Sequence, residues 1–131
     1  MADELEMVLR IVAAMALGGI IGYQRGKAEK PAGVRTLALI AGGSALITVI
    51  SIFGFGDDQA RIAAGIVTGI GFLGAGSIIR RGEGIVEGLT TAATIWVAAG
   101  IGLAAGVGFY LIAAVTALLA LLVLLMARLG V

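Results

Sequence analysis

The chain has 131 residues, of which 60% are hydrophobic and 13% charged, with a mean hydropathy of +1.14 and a formal net charge of +1. A soluble domain carries about 25% charged residues, so this chain has too few charges to cover a water-facing surface. It contains neither cysteine nor histidine, which excludes disulfides, thiolate metal sites and serine–histidine catalysis. We expect a single transmembrane domain over residues 1–131 that is not an enzyme.

Five apolar stretches account for most of the chain. A helix needs roughly 20 apolar residues to cross the hydrocarbon core of a bilayer. The predicted spans cover residues 5–23, 34–53, 60–79, 89–106 and 109–129. The sequence therefore predicts an all-α membrane protein that forms a compact bundle of about five transmembrane helices.

The start of the first span carries the first polar side chains of interest. Asp3 is placed to cap the helix with Glu6 as its partner, and Glu6 precedes Arg10 by the four residues that favour an ion pair. We favour an Arg10 that pairs with Glu6 and extends to the interface. An intramembrane cation lining a polar path is the alternative.

Lysine and arginine are distributed unevenly between the two sides of the predicted bundle. One side holds seven of the nine: Arg25, Lys27, Lys30, Arg35, Arg80, Arg81 and Arg128. The other holds Arg10 and Arg61 with five acids: Asp3, Glu4, Glu6, Asp57 and Asp58. Because cytoplasmic loops are enriched in basic residues, we expect the N-terminus outside and the C-terminus in the cytoplasm.

The basic side is the main candidate site for a ligand or partner. Its candidate residues are Arg25, Lys30, Arg35, Thr36, Arg80 and Arg81. Arg35 follows Gly33 at the start of a span, where its guanidinium could clamp an anion near a helix N-terminus. The competing interpretation, which we favour, is the ordinary positive-inside bias with contact to anionic headgroups.

Two smaller polar groups have structural alternatives. Asp57 and Asp58 are weak candidates for an outer-side divalent cation, but we favour helix capping and pairing with Arg61, and we predict no metal site. Thr90, Thr91 and Thr94 could line a polar seam, although such residues more often bond to carbonyls of their own helix.

Glycine is unusually abundant, with 22 residues. In lipid, small residues let helix backbones approach closely. Small residues four apart recur at Gly18/Gly22, Ala38/Gly42, Gly65/Gly69, Ala98/Gly102 and Gly102/Gly106. The third span is the densest, with Gly65, Gly69 and Gly76 on one face and Gly71 and Gly74 on the other. We predict that it is the centre of the bundle or lies between the bundle and a second subunit, in a homo-oligomer for which a dimer is favoured.

The segment from Gly69 to Gly74 matches the dinucleotide fingerprint G-x-G-x-x-G. That fingerprint requires a strand before its first glycine and an acidic residue about 20 residues later. Here the glycines lie within one apolar span, so we reject the match. We expect no cofactor and no nucleic-acid partner.

Several blocks of the chain together resemble the MgtC/SapB membrane family. They are Leu17-Gly18-Gly19-Ile20-Ile21-Gly22, Lys30-Pro31-Ala32-Gly33-Val34-Arg35-Thr36, Arg61-Ile62-Ala63-Ala64, Gly69 to Gly76, and Gly88 to Trp96. The resemblance covers roughly residues 8–115. It implies a multi-pass protein of the bacterial inner membrane, linked to adaptation to low magnesium, acid stress and survival in host cells. It also implies a regulator that acts by binding other membrane proteins.

The chain departs from the family pattern at several polar positions. Gln24-Arg25-Gly26 stands where the family commonly has Glu-Arg-Glu, Leu37 where it often has histidine, and Gly65 where it often has glutamine. These losses weaken a proton- or cation-handling role. Many members also carry a cytoplasmic C-terminal domain; because this sequence stops just after the fifth predicted span, we expect either a natural short form or a shortened piece of a longer protein. We therefore expect a regulator, with a small homo-oligomeric transporter or channel for an ion or small solute as the alternative.

Overall fold

The computed structural model describes residues 3–56 and 59–130, and this part of the chain is mostly helical. It forms five α-helices: α1 (Glu4–Lys27), α2 (Val34–Ile50), α3 (Gln59–Gly76), α4 (Leu89–Gly106) and α5 (Tyr110–Leu125). A π-helical turn, Ser51–Phe55, extends α2, and a 3-10 turn, Met126–Leu129, extends α5. The prediction of a mostly helical protein with five helices is confirmed.

Four helical segments of the described residues are long and apolar enough to cross a bilayer. They are Glu4–Lys27, Val34–Phe55, Leu89–Gly106 and Tyr110–Leu129. Helix α3 is not among them, because Gln59, Arg61 and five glycines lower the hydropathy of its 18 residues. A fifth crossing by α3 stays a prediction.

Two helices end at residues other than the ends of the predicted spans. Helix α1 continues past Tyr23 to Lys27, and α3 ends at Gly76 instead of at residue 79. At the end of α3 the Ser77 hydroxyl donates to the Gly74 carbonyl at 2.7 Å. The chain then turns into a short antiparallel hairpin of β1 (Ile79–Arg80) and β2 (Val86–Glu87), with Ile79 opposite Glu87. The connection between the third and fourth predicted spans therefore contains a paired hairpin.

Gly88 lets this hairpin return to the bundle. Its φ of 91° lies in the left-handed region that favours glycine. A Cβ at this position would also overlap the backbone of Ser77. Helix α4 therefore begins directly beside the end of α3.

Small residues build the two tightest seams of the bundle. Between α1 and α2, a Cβ on Gly18 would overlap the Leu37 carbonyl, and one on Gly22 would overlap Gly33. Between α2 and α4, a Cβ on Gly102 would overlap the Ala41 carbonyl, and one on Gly106 would overlap the Thr48 side chain. Backbones this close gain dispersion contacts that replace the hydrophobic drive missing in lipid.

Helix α4 is the centre of the bundle and packs against α1, α2, α3 and α5. Half of its residues are buried, including Ala98, Ile101 and Ala105, which belong to the main core cluster. Two hydroxyls of α2 lie in this core. Ser44 donates to the Ala99 carbonyl at 2.7 Å, and Thr48 donates to the Ser44 carbonyl at 2.8 Å.

Helix α3 lies at the periphery of the single chain, so the prediction that it is the centre is wrong. Gly74, beside Ala92, is its only buried residue. The other four glycines of the predicted packing set have open space where a Cβ would stand: Gly65, Gly69, Gly71 and Gly76. The second alternative, a position between the bundle and another subunit, stays a prediction.

Two clefts separate α3 from the rest of the bundle. The first, of about 380 Å³, lies between α3, α4 and α5, and Thr116 is the hydroxyl-bearing residue in its otherwise apolar lining. The second, of about 400 Å³, lies between α2, α3 and α4 and has Thr48, Ser51 and Gln59 in its lining. Both clefts adjoin residues 59–70 of α3, whereas Gly74 further along is buried against Ala92.

Candidate functional site at the basic end of the bundle

The predicted binding residues all lie at one end of the bundle, which we call the basic end. It comprises the end of α1, the loop to α2, the first turn of α2, the hairpin, the start of α4 and the turn after α5, residues 25–36, 77–91 and 126–130. The helices alternate in direction, as Gly22 beside Gly33 and Gly74 beside Ala92 indicate. The seven basic side chains counted in the sequence therefore share this end.

Arg25 is the buried member of the set. It lies in the last turn of α1 and is only 4% exposed. Its Nη2 donates to the Thr91 hydroxyl in the first turn of α4, and its Nε donates to the Pro31 carbonyl at 3.4 Å. Arg25 therefore ties α1, the following loop and α4 together.

The loop between α1 and α2 is shaped around Arg25. The backbone reverses direction immediately after α1, where the Lys30 N–H donates to the Arg25 carbonyl at 2.9 Å. Glu29 and Ala32 have φ values of 56° and 63°, which non-glycine residues adopt only where the surroundings hold them. Lys30 itself is exposed.

Arg35 and Thr36 lie exposed in the first turn of α2. This helix begins after Gly33 and has no side-chain cap. Its first N–H groups therefore lack the hydrogen bond that a capping side chain would supply. The placement fits the predicted anion clamp, whose role stays a prediction.

Arg80 and Arg81 are exposed on the hairpin. Arg81 Nε lies 3.4 Å from Glu87 Oε2, across the two strands. Such exposed pairs contribute little to stability. Within the described residues, no hydrogen bond or ion pair joins these arginines to Arg25 or Arg35. The structure brings all six candidates to one end without forming one closed site.

A second polar cluster lies at the opposite end. Arg10 Nε pairs with Glu6 Oε1 at 3.1 Å, as predicted, and Arg10 Nη1 donates to the Gly106 carbonyl at 3.0 Å. The Tyr110 hydroxyl donates to the same Glu6 oxygen at 2.9 Å, and the Phe53 ring centre lies 5.2 Å from Arg10 Cζ. The cluster joins α1, α4 and α5 and satisfies Arg10 within the chain.

Two other predictions on polar residues have different outcomes. Thr94 donates to the Thr90 carbonyl at 2.7 Å, as expected for a helical threonine. Asp57 and Asp58, the weak cation candidates, lie outside the described residues. Among the residues that are described, no group of three or more histidine, cysteine or acidic side chains could hold a metal ion.

Sequence reasoning missed the contact of Arg25 with Thr91 and the burial of Gln24. Gln24 Oε1 is buried without a hydrogen-bond partner among the described residues. The only available signal was the placement of Arg25 and Thr91 at the same predicted membrane interface. Many residue pairs satisfy that condition.

Comparison with known proteins places the chain in a family. A family model described as "MgtC family" matches residues 11–129. The protein named "Putative magnesium transporter YhiD" from Escherichia coli strain K12 is 45% identical over 128 residues, which cover 91% of this chain and 59% of that protein. "Protein MgtC" of Salmonella typhimurium strain LT2 is 50% identical over 101 residues, which cover 77% of this chain and 43% of that protein.

A Haemophilus influenzae protein named as uncharacterized is 40% identical over 117 residues, covering 82% of this chain and 49% of that protein. The chain thus spans about half the length of the curated relatives it matches. No solved structure matches it. The matched region includes the helices that form the basic end and the two glycine seams.

Proposed function

This chain belongs to the MgtC family, and we propose that it is a non-enzymatic regulator in the bacterial inner membrane. It acts during adaptation to low magnesium or acid stress by binding other membrane proteins. The exposed basic side chains at the basic end contact the partner, and α3 contacts a second copy of the chain. The family match and the placement of these two surfaces support the proposal.

The orientation that we propose puts the basic end in the cytoplasm. Helix α3 is then a fifth crossing, the N-terminus is outside and the C-terminus is cytoplasmic. The support is the concentration of seven of nine basic residues at one end of alternating helices, since cytoplasmic loops of membrane proteins are enriched in lysine and arginine. Because the chain has no cysteine, single cysteines at residues 3 and 130 allow a direct labelling test.

The location of the polar groups supports regulation rather than transport. The polar lining residues of the second cleft lie at the end opposite the basic end: Thr48 in the last turn of α2, Ser51 in the π-helical turn and Gln59 at the start of α3. The first cleft is apolar apart from Thr116. Among the described residues, the clefts therefore offer an ion no continuous polar route between the two ends. An ion in an apolar cleft would lose its hydration without replacement.

The second candidate is a small transporter, and one observation favours it. The name of the YhiD relative connects that protein with magnesium transport. A half-size transporter would need two copies to enclose a path. The exposed α3 face, with the two clefts beside it, would then line that path between subunits.

One experiment separates the two candidates. Purified protein in liposomes that hold a magnesium-sensitive dye should give no magnesium entry above empty liposomes if it is a regulator. In cells that lack their own family member, the same protein should restore growth at low magnesium. Magnesium entry in the liposomes would contradict regulation and support transport.

The Arg35→Ala variant tests the basic end within the same assay. It should lose growth rescue and partner co-purification while its thermal unfolding is unchanged, because Arg35 is exposed. Arg128→Ala, at the same end but outside the candidate set, is the matched control and should retain both. Equal rescue by the two variants would count against an Arg35 clamp.

A further inference from the structure

The Arg25 guanidinium carries a charge that the described part of the chain does not neutralise. The ion pairs among the described residues join Arg10 to Glu6 and Arg81 to Glu87, so no described carboxylate lies within ion-pair distance of Arg25. Its two acceptors, the Thr91 hydroxyl and the Pro31 carbonyl, are both neutral. A buried arginine without a counter-ion is costly near the membrane, so an anion should accompany it.

Part of the guanidinium stays accessible. Its Nη1 makes no hydrogen bond among the described residues. It is also not one of the fully buried polar atoms that lack a partner, which are Gln24 Oε1 and Ser51 Oγ. Arg25 Nη1 therefore keeps some accessible area, although the residue as a whole is only 4% exposed. An anion at the membrane interface can reach this nitrogen.

An apolar groove of about 260 Å³ begins at Thr90, the sequence neighbour of Thr91, and continues into the membrane-spanning part of the bundle; Arg25 lies beside the groove and is not part of its lining. It lies between α4 and α5, with Ile21 of α1 at its base, one helical turn from Arg25. Thr90 and Thr94 line the groove, and Thr91, the residue that accepts from Arg25, follows Thr90 on the adjoining face of α4. From Thr90 to Val97 the groove follows α4 for roughly 10 Å, at about 1.5 Å per residue.

These two features match the two parts of one class of molecule. A phospholipid has a phosphate at the interface and acyl chains in the hydrocarbon core, in the same order as Arg25 and the groove. Basic pockets between helices on the cytoplasmic side of membrane proteins bind anionic headgroups. The exposed Lys30 and Arg35 at the same end add positive potential and favour a lipid with net negative charge.

We propose that the α1–α4–α5 groove is a binding site for an anionic phospholipid, whose phosphate accepts from Arg25 and whose acyl chain fills the groove. The lipid would supply the counter-ion that Arg25 lacks. It would also fill a gap between α4 and α5 where side chains leave space. The inference does not depend on whether the protein regulates or transports.

Native mass spectrometry of the protein in mild detergent tests the site. Phosphatidylglycerol and phosphatidylcholine with identical oleoyl chains are offered separately, and the retained lipid is measured. Phosphatidylglycerol should be retained at least about fivefold more strongly, the ratio that corresponds to one arginine contact with an anionic lipid. Equal retention of the two lipids would overturn the proposal.

Two variants address the two halves of the site. Arg25→Gln removes the charge, and Ala93→Phe fills the groove from an exposed position of α4 in its lining. Each should reduce retention of phosphatidylglycerol about fivefold or more. The matched controls are Arg80→Gln, an exposed arginine at the same end, and Ala114→Phe, an exposed position of α5 outside the groove lining. Both controls should retain the lipid.

The remaining outcomes decide between a lipid and a general effect of charge. If Arg80→Gln lowers retention as much as Arg25→Gln, the binding is diffuse and the proposal fails. If inorganic phosphate displaces the lipid at millimolar concentration and Ala93→Phe has no effect, the site takes free phosphate and the lipid assignment is wrong. If Arg25→Gln does not fold, lipid retention by Ala93→Phe and by Ala114→Phe still tests the groove, because neither substitution changes Arg25.

Discussion

Helices α3 and α4 have the same length, 18 residues, and both are rich in glycine and alanine, yet they occupy opposite places in the fold. Helix α4 buries nine residues, and α3 buries only Gly74. On α4 the small residues Ala98, Gly102, Ala105 and Gly106 fall at helical spacing on one buried side. On α3 the glycines are divided between two faces. The arrangement of small residues, and not their number, distinguishes the central helix from the peripheral one.

The most demanding test of this difference between α3 and α4 is to place the same substitution in both helices. Gly102→Leu would overlap the Ala41 carbonyl, which cannot move without moving α2. We expect it to lower the free energy of unfolding in detergent by more than about 3 kcal/mol, above the usual cost of overpacking. Gly69→Leu, with open space around the Cβ in the single chain, should change the free energy of unfolding of the monomer in detergent by no more than about 0.5 kcal/mol. Equal losses would contradict the assignment of centre and periphery.

The next test concerns a connection that α4 has and α3 lacks. Arg10 joins the end of α4 to α1 through the Gly106 carbonyl and Glu6. Arg10→Met should lower the free energy of unfolding by about 1.5–3 kcal/mol, the usual range for hydrogen bonds to a charged group. Denaturant titration followed by circular dichroism measures it. The control is Arg128→Met, which should have little effect on the free energy of unfolding. If it lowers that free energy as much as Arg10→Met does, the loss reflects removal of a positive charge and not of the Arg10 hydrogen bonds.

Gly74 tests the point where the two helices meet. Its Cβ would stand 3.6 Å from the Ala92 carbonyl oxygen, an ordinary contact distance. Gly74→Ala should therefore be tolerated, whereas Gly74→Leu should cost about 1–3 kcal/mol by forcing α3 away from α4. Thermal unfolding of the pair in detergent gives the comparison. Identical midpoints would mean that α3 is not held at this position.

The smallest effect is expected in the hairpin that joins α3 to α4. The Arg81–Glu87 pair is exposed, with side chains 65% and 54% accessible. Arg81→Gln should change the free energy of unfolding by less than about 1 kcal/mol. A larger loss of unfolding free energy that disappears at high salt would show that α3 is positioned by the Arg81–Glu87 pair. It would contradict the view that the Gly74 contact holds this helix.

The helices themselves could be predicted because lipid leaves few alternatives. A chain in hydrocarbon must satisfy its backbone hydrogen bonds within helices, so long apolar runs become helices. Local pairs also follow from helical spacing, as Glu6 with Arg10 and the Thr94 bond to Thr90 illustrate. The tight seams at Gly18/Gly22 and Gly102/Gly106 were visible as small residues four apart.

The arrangement of the helices could not be predicted in the same way. The glycine count pointed to α3 as the centre of the bundle or as the contact with a second subunit. It could not decide between them, because packing depends on which faces match and the five glycines of α3 are spread over two faces. The contact of Arg25 with Thr91 needs α1 and α4 to be neighbours, although the two residues are 66 positions apart. Local patterns carry no information on such a pairing.

The claim on which the account depends most is that α3 exposes its glycine face in the single chain and covers it with a second copy in the membrane. Because the chain has no cysteine, Gly69→Cys and the lipid-facing control Leu118→Cys can each be oxidised in native membranes. We predict that Gly69→Cys forms a cross-linked species of twice the 13.1 kDa chain mass, while Leu118→Cys stays monomeric. A monomeric Gly69→Cys, or equal cross-linking at both positions, would contradict the account.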